Sequence, residues 1–361
     1  MQGHSIPHSK PRSWRRIGFA LAGLCSLLVL LAGCMSAPPW ATAPIPSLVR
    51  ADDSFATLDL DWQDKARDRA IPARLYLPHG AQKSPVPLVI FSHGMGGSRE
   101  GYSYIGRDLA AHGIASLHVQ HIGSDRSVWQ GNRLLMALRL MHAAGEDEAA
   151  ARANDMRFAL DTLLASDYAR QIDATRIAAA GHSYGANTTM LVSGAQVQRE
   201  GETLQFRDAR IKAAVLISSP PFYGEADFKP ILQPIRLPTL HITSTADIIN
   251  VPGYHSEAID RIRVFDAMGS TQKLLAVFKG GSHSMFTDRL NTGGAELNPM
   301  VKQATRELVR LFLQEQFQLQ SPANGLGAWR NQHQAILDGL RQVGSNTAQN
   351  EAPASLTAVL P

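Results

Sequence analysis

The chain has 361 residues, enough for one large domain or two small ones, and 44% of them are hydrophobic, so an ordinary buried core is possible. Four of the 35 basic residues lie within the first 33 positions, which leaves 31 basic against 31 acidic residues in the rest. This balance, with no run of Lys or Arg, gives no charge-based indication of a nucleic-acid partner. The only cysteines are Cys25 and Cys34, so a cysteine-based structural zinc site is excluded from the domain that follows.

Residues 1–33 are typical of an export signal, because a basic leader is followed by an uncharged apolar run and then by small residues. The apolar run ends in Leu-Ala-Gly before Cys34, and this sequence resembles a bacterial lipobox. The resemblance implies cleavage before Cys34 and a lipid on its thiol. The alternative is an uncleaved membrane anchor, although the apolar run of about 17 residues is near the short limit for a bilayer span.

The start of the chain therefore predicts export to the bacterial cell envelope and attachment to a membrane through the N-terminal lipid. Residues 34–53, rich in Pro, Ala and Ser, are interpreted as a lipidated tether. Met35 after the cysteine resembles the sorting pattern of outer-membrane lipoproteins, which places the domain in the periplasm. Arg15 and Arg16 partly resemble a twin-arginine signal, so the export route stays open.

From residue 54 onward, short apolar strands alternate with helix-compatible segments, which predicts a mostly parallel sheet covered by helices on both faces. Eight strands are predicted, at 56–62, 73–78, 87–93, 113–120, 176–181, 211–218, 238–245 and 272–278. The helical segments lie near 100–112, 130–166, 184–197, 254–267 and 298–317. The second segment is expected to divide at Gly145, and the proline-rich stretch from 220 to 238 predicts at most a small cap. This domain occupies 54–320, and 321–361 is predicted to form one helix and a disordered tail.

The sequence Gly-His-Ser-Tyr-Gly at 181–185 lies where a predicted strand becomes a predicted helix. One interpretation is a plain glycine-rich turn. The other is a nucleophile elbow, in which a tight turn raises Ser183 above the edge of the sheet. Bulk at either glycine would strike the neighbouring strand or helix, which favours the elbow. A serine hydroxyl is a weak nucleophile and needs an imidazole base and a carboxylate that orients this base.

A second glycine-rich loop, HGMGG at 93–97, follows the strand predicted at 87–93. Such a loop can turn backbone N–H groups toward an oxyanion that forms beside Ser183. We therefore predict an oxyanion hole made by the backbone N–H groups of Met95 and Tyr184. A plain turn between strand and helix is the alternative. A phosphate-binding loop is excluded because no Gly-Lys-Ser or Gly-Lys-Thr follows.

An acid and a base follow the last two predicted strands. Asp247 comes just after the strand at 238–245, and His283 lies in a Gly/Ser loop after the strand at 272–278. The carboxyl ends of parallel strands meet at one edge of a sheet, where ligands bind in open α/β folds. We therefore predict that Asp247 orients His283 and that His283 is the base for Ser183. Other carboxylates are less well placed, in the irregular segment or in a helix: Glu225, Asp227 and Asp266.

The other aromatic and histidine side chains have simpler interpretations. A metal site at His112, His118 and His121 is not expected, since the last two lie on opposite faces of an extended strand. His182 is expected to pack against the sheet. Two further residues can either line a substrate pocket or pack on the core: Tyr102 and Trp129.

Four segments, FSHGMGGSRE, GHSYGA, STADIINVP and GGSHSMF, resemble the α/β-hydrolase superfamily over residues 54–317. They are similar to the branch that contains dienelactone-hydrolase-like proteins, platelet-activating-factor acetylhydrolases and bacterial polyester hydrolases. The resemblance implies the α/β-hydrolase fold, and the chain order Ser183, Asp247, His283 is the order of its catalytic triad. It also implies a serine hydrolase that acts on carboxylic esters through a covalent acyl-enzyme, without cofactor or metal. The expected substrate is a small-molecule or lipid-like ester.

Alternatives on the same scaffold are an amidase, a lactonase or a polyester hydrolase. Ser183 argues against a dehalogenase, whose nucleophile would be an aspartate. A non-catalytic envelope binding protein is a rival from a different class, but such proteins usually lose a member of the triad, and all three residue types are present here.

Overall fold

The computed structural model describes residues 54–225, 227–251, 254–290, 292–320 and 324–344. The predicted signal peptide, the tether and Cys34 lie outside the described residues, as does most of the predicted tail. Within the described ranges, none of the helices combines the length and the hydropathy that a membrane span requires.

The described residues form thirteen strands, nine of which make one central sheet. The strands are β1 Phe55–Asp64, β2 Arg69–Pro78, β3 Val86–Ser92, β4 Ala115–Val119, β5 Ile172–His182, β6 Gln196–Arg199, β7 Glu202–Gln205, β8 Ile211–Ile217, β9 Thr239–Ser244, β10 Ile249–Val251, β11 Tyr254–Ser256, β12 Lys273–Phe278 and β13 Leu337–Val343. The order in the sheet is β1-β2-β4-β3-β5-β8-β9-β12-β13. The six strands from β4 to β12 in this order are parallel, and the outer pairings are antiparallel.

Helices cover both faces of the sheet, as the alternating pattern predicts. They are α1 Ser103–Ala111, α2 Arg133–Ala143, α3 Glu146–Leu164, α4 Tyr184–Ser193, α5 Lys229–Leu232, α6 Ala258–Ala267, α7 Leu297–Gln316 and α8 Gly325–His333. Buried side chains of α3 and α4 pack in one apolar core, and those of α1, α7 and α8 pack in a second core on the opposite face. Because both faces are covered, central strands such as β9 and β12 are buried along their whole length.

The structure confirms the mostly parallel sheet and the division of the long helical segment at Gly145, which separates α2 from α3. The strand count is corrected from eight to nine. The segment predicted as one C-terminal helix is helical only as far as His333, and the residues from Leu337 onward form the strand β13. This strand pairs with β12, whose outer edge would otherwise leave its backbone groups unpaired. The helix predicted at 254–267 begins only at Ala258, after β11.

Candidate active site

Ser183 lies between the end of β5 and the start of α4, in the strand–turn–helix position that the sequence predicts. Its backbone has φ 56° and ψ −122°, a conformation that non-glycine residues rarely adopt. The surrounding structure holds this turn, because the Ser183 N–H donates to Ile217 O at 2.9 Å and Ser183 O accepts from Ala186 N at 2.8 Å. The strained turn places the hydroxyl at the carboxyl edge of the sheet.

Close backbone approach explains the two glycines of the elbow. A Cβ at Gly181 would overlap the carbonyl oxygen of Gly185, and a Cβ at Gly185 would overlap the carbonyl oxygens of Ser92 and His93. The turn therefore packs directly against the end of β3, where the second glycine-rich loop begins. Larger residues at either position would push the elbow away from that loop.

The structure brings the three predicted side chains into one hydrogen-bonded chain. His283 Nε2 lies 2.7 Å from Ser183 Oγ, and His283 Nδ1 lies 2.8 Å from Asp247 Oδ1. Asp247 is fully buried, whereas the His283 side chain is 18% exposed. An ionised carboxylate can only accept, so Nδ1 carries the proton and Nε2 is free to accept the proton of Ser183.

Asp247 is buried, yet its surroundings keep it ionised. Burial alone would raise its pKa, but the charge and hydrogen bond of His283, the charge of Arg261 and the hydrogen bond from Ser218 lower the pKa below its ordinary value. Thr243 Oγ1 also donates to Asp247 Oδ2 at 2.7 Å. The Arg261 guanidinium lies 3.2 Å from Asp247 Oδ1. The carboxylate is thus fixed in position and in charge before any substrate binds.

The rival carboxylates serve other contacts. Asp227 accepts from the backbone N–H of Lys229 at 3.0 Å. The remaining two form ion pairs at 2.7 Å, Glu225 with Arg199 and Asp266 with Arg341.

The two backbone groups predicted for an oxyanion hole have no protein acceptor in the described part of the chain. Tyr184 is the first residue of α4, so its N–H points out of the helix end and meets the positive end of the helix dipole. Met95 lies in a loop that is held at both neighbours, since Gly96 N donates to Ser124 O at 2.8 Å and Gly97 N donates to Gly94 O. Both N–H groups are therefore available to a ligand.

His182 packs inside the protein, as predicted, but it also connects two loops of the site. Burial, followed by the nearby charge of His283, lowers its pKa to about 3, so the ring is neutral at neutral pH. His182 Nε2 lies 2.9 Å from the His283 carbonyl oxygen and must donate to it, so Nδ1 accepts from Tyr102 Oη at 2.8 Å. Tyr102 Oη in turn accepts from Gly94 N at 3.3 Å. The loop of the base is thereby tied to the loop of Met95.

Ser218 is a site residue that sequence reasoning missed. It follows β8 and has φ 52°, a second left-handed non-glycine residue beside the elbow. Its hydroxyl lies 2.5 Å from Asp247 Oδ2 and 2.7 Å from His283 Nδ1. The signal that could have identified it is its position at the carboxyl end of the strand next to β5 in the sheet.

The remaining candidates have structural partners. His118 contacts Gly101 O and Ser116 Oγ, and among the described residues no cluster of three His, Cys, Asp or Glu side chains could hold a metal ion. Tyr102 is core, with 4% of its surface exposed. Trp129 lies at the surface, where its Nε1–H donates to Gly96 O at 3.1 Å. It therefore covers one side of the glycine-rich loop.

Sequence comparisons with known proteins match one part of the chain. The family model of platelet-activating factor acetylhydrolase, isoform II, matches residues 77–134, which include the loop of Met95. The chain is 32% identical to the platelet-activating factor acetylhydrolase of Bos taurus and 28% identical to that of Canis lupus familiaris, each over 137 residues. Each match covers 29% of this chain and 31% of the relative, so the chain matches less than a third of the length of these relatives.

A solved structure is similar over a larger part of the chain. The ferulic acid esterase from Streptomyces cinnamoneus superposes with a TM-score of 0.50 at 22% sequence identity, over 73% of this chain and 89% of the esterase. This likeness concerns the fold. Together with the strand order and the elbow between β5 and α4, it shows that the chain has the α/β-hydrolase fold.

Proposed function

We propose that the protein is a serine hydrolase that cleaves carboxylic esters. The observation that carries this proposal is the continuous contact from Ser183 Oγ through His283 to the buried, ionised Asp247. Such a chain activates a hydroxyl that would otherwise be a weak nucleophile. Its position beside two unpaired backbone N–H groups provides the second requirement of acyl transfer, a site for an oxyanion.

In the proposed reaction, Ser183 Oγ attacks the ester carbonyl while His283 Nε2 accepts its proton. The carbonyl oxygen becomes negative and is stabilised by the N–H groups of Met95 and Tyr184. His283 then gives the proton to the departing alcohol, and an acyl-enzyme remains. A water molecule that is deprotonated by His283 releases the acid and restores Ser183. Asp247 holds the imidazole in the productive tautomer and stabilises its positive charge.

The names of the relatives support an ester as the target bond and a short acyl group as the first choice of substrate. The matched mammalian proteins are acetylhydrolases, and the structural neighbour is an esterase. Lipid-like esters fit the same proposal, because α2, which packs against the turn that carries Trp129, exposes several large apolar side chains to solvent. Amides, lactones and polyesters are the alternative substrates that the test below separates.

The test is hydrolysis of p-nitrophenyl acetate, butyrate and octanoate by the purified chain and by Ser183→Ala. We expect the variant to lose at least about 10⁴-fold in kcat, because the nucleophile is removed. Ser84→Ala, at an exposed position far from the triad in sequence, is the matched control and should keep full activity. Equal ester turnover in Ser183→Ala and the native chain would refute the proposal. Ser183-dependent turnover of amides or lactones alone would reassign the bond that is cleaved.

We further propose that the protein is exported and anchored in the bacterial envelope through a lipid on Cys34, in the outer membrane and facing the periplasm. The lipobox-like sequence before Cys34 supports this proposal. Expression of the native chain and Cys34→Ser in a bacterium, followed by membrane fractionation and mass analysis of the N-terminus, tests it. We expect the native chain in the outer-membrane fraction with a diacylglyceryl group. The same unmodified N-terminus in both proteins would contradict the proposal.

A further inference from the structure

A buried arginine lies on the side of the elbow opposite the base. Arg152, in the middle of α3, has no exposed surface. Its Nε donates to Thr188 Oγ1 at 3.0 Å, its Nη1 to Ser124 Oγ at 2.8 Å and its Nη2 to Ser92 Oγ at 3.0 Å and to the carbonyl oxygen of His93. Burial lowers the pKa of Arg152 to about 10, which leaves the guanidinium charged at neutral pH.

All direct hydrogen-bond partners of Arg152 are neutral, and its balancing carboxylates lie one or two hydrogen bonds behind them. Ser124 Oγ accepts from Arg152 and donates to Glu148 Oε1 at 2.7 Å. Ser92 Oγ contacts His121 Nε2 at 2.9 Å, and His121 Nδ1 donates to Asp155 Oδ2 at 3.0 Å.

Arg69 lies behind both carboxylates and bonds to each of them. We refer to Arg152, Ser124, Glu148, Asp155 and Arg69 as the charge cluster.

The end of the charge cluster nearest to the elbow is the positive Arg152, and it contacts both segments of the predicted oxyanion hole. The Arg152 guanidinium lies 4.4 Å from the centre of the Tyr184 ring, so it packs against the residue that supplies one N–H donor. It also holds the His93 carbonyl, two residues before Met95, which supplies the other donor. One side chain therefore contacts the two segments that must stay aligned to bind an oxyanion.

We propose that Arg152 is a positioning residue of the oxyanion hole, which fixes the segments of Met95 and Tyr184 and directs the positive end of the charge cluster toward the developing negative charge. This inference rests on the proposed function. Burial of a cation among neutral partners lowers the stability of the folded state. Apolar side chains of similar volume at the same position would make the interior more stable. This loss of stability is understandable where a fixed positive charge acts in a water-poor site on charge that develops during reaction.

The first test compares Arg152→Met and Arg152→Lys with the native chain. Ester turnover is measured as kcat and KM. Affinity for phenylboronic acid is measured by calorimetry, because the acid adds to Ser183 Oγ, passes the hydroxyl proton to His283 and becomes a tetrahedral anion. We expect Arg152→Met to lose about 100-fold in kcat and a similar factor in boronate affinity, with KM changed less than about 3-fold. Arg152→Lys keeps the charge and should recover at least about 10-fold of both.

Arg157→Met is the matched control, since it makes the same change at an exposed arginine of the same helix. We expect it to change boronate affinity by less than about 3-fold and to leave the melting temperature nearly unchanged. If Arg152→Met is folded and binds phenylboronic acid as tightly as the native chain, the inference is overturned. It is also overturned if Arg152→Lys is no better than Arg152→Met at equal melting temperature.

A second experiment tests the inference even if the Arg152→Met variant does not fold. Glu148→Gln keeps the shape of the side chain and an acceptor for Ser124, but it removes a negative charge from behind Arg152. The matched control is Glu146→Gln, the same change in the same helical turn, at an exposed residue paired with Arg199. The inference predicts that Glu148→Gln lowers the melting temperature more than the control, yet raises boronate affinity by about 3-fold or more. A purely structural role predicts that boronate affinity falls together with the melting temperature.

The failure of this inference can be told apart from failure of the proposed function. Ser183-dependent ester turnover with unchanged boronate affinity in the Arg152 and Glu148 variants refutes the role of Arg152 alone. No Ser183-dependent turnover and no binding of phenylboronic acid by the native chain would refute both.

Discussion

The two buried polar groups on either side of Ser183 have opposite polarity. On the base side, the anion Asp247 contacts His283 directly, and the cation Arg261 lies behind it. In the charge cluster, the cation Arg152 lies nearest to the elbow, and its carboxylates lie behind a layer of neutral side chains. The same kind of buried charge pair is thus used twice, in reversed order, around one serine.

This reversal matches the charges that the proposed reaction creates. When the proton leaves Ser183, a positive imidazolium forms at His283 and a negative oxygen forms near Met95 and Tyr184. In the proposed arrangement a carboxylate faces the first charge and a guanidinium faces the second, so groups that are already in place stabilise both charges. Under this proposal, the order of the buried charges on the two sides follows the direction of charge separation.

The largest expected effect comes from a substitution that disrupts only the base side of the site. Asp247→Asn keeps the shape of the side chain but removes the acceptor that fixes the His283 tautomer, so we expect kcat for p-nitrophenyl acetate to fall about 10⁴-fold. Arg261 would also lose its buried carboxylate, which we expect to lower the free energy of unfolding by about 3 kcal/mol. Steady-state kinetics and urea denaturation measure the two effects.

Asp266→Asn is the matched control for this prediction, because Asp266 is an exposed carboxylate paired with Arg341. We expect Asp266→Asn to lower the free energy of unfolding by less than about 0.5 kcal/mol and to leave kcat unchanged. Turnover of Asp247→Asn within 10-fold of the native chain would show that this carboxylate is not the orienting acid.

The base side of this comparison could be predicted from sequence, and the charge cluster could not. Ser183, Asp247 and His283 each follow a recognisable apolar strand, and the parallel sheet brings all strand ends to one edge. Arg152 lies in a helix five residues before Arg157, which is exposed, and nothing local distinguishes the two arginines. Only the packing of α3 on the elbow decides which of them is buried.

The missed strand β13 and the missed Ser218 have the same origin. The residues of β13 have a composition compatible with a helix, and their strand conformation depends on the free edge of β12, which is distant in sequence. Ser218 is one of two adjacent serines after β8, and its role depends on the position of Asp247 across the sheet. Local patterns predicted the elements that depend on local sequence, whereas non-local pairing determined the rest.

The next largest effect concerns the neutral histidines that both sides require. Burial lowers the pKa of His182 to about 3 and that of His118 to about 4, from 6.5, and it also lowers the pKa values of His93, His121 and His241. In the interval between the lowered and the ordinary pKa, the unfolded chain binds more protons. The contribution of these neutral histidines to the stability of the folded chain is therefore complete above about pH 6.5 and is lost as the pH falls toward 4.

As the pH falls within this interval, each such histidine should lower the free energy of unfolding by about 1.4 kcal/mol per pH unit. Urea denaturation at pH 7.5, 6.5, 5.5 and 4.5 measures the slope. His121→Gln removes one titrating group from beside Arg152 and should reduce the slope by about 1.4 kcal/mol per pH unit. A native-chain stability that is flat from pH 7.5 to 4.5 would contradict the neutral, buried state of these rings.

The smallest effect tests the connection between the two sides. Tyr102→Phe removes the hydroxyl that joins Gly94 N to His182 Nδ1, so a buried donor and a buried acceptor both lose their partner. We expect a loss of about 1–3 kcal/mol in unfolding free energy. We also expect a fall in kcat of up to about 10-fold, because the loop of His283 is no longer tied to the loop of Met95. Tyr223→Phe, at an exposed tyrosine, should change neither quantity. If Tyr102→Phe loses stability but keeps full kcat, the two sides of the elbow act independently, and the His182 link serves folding alone.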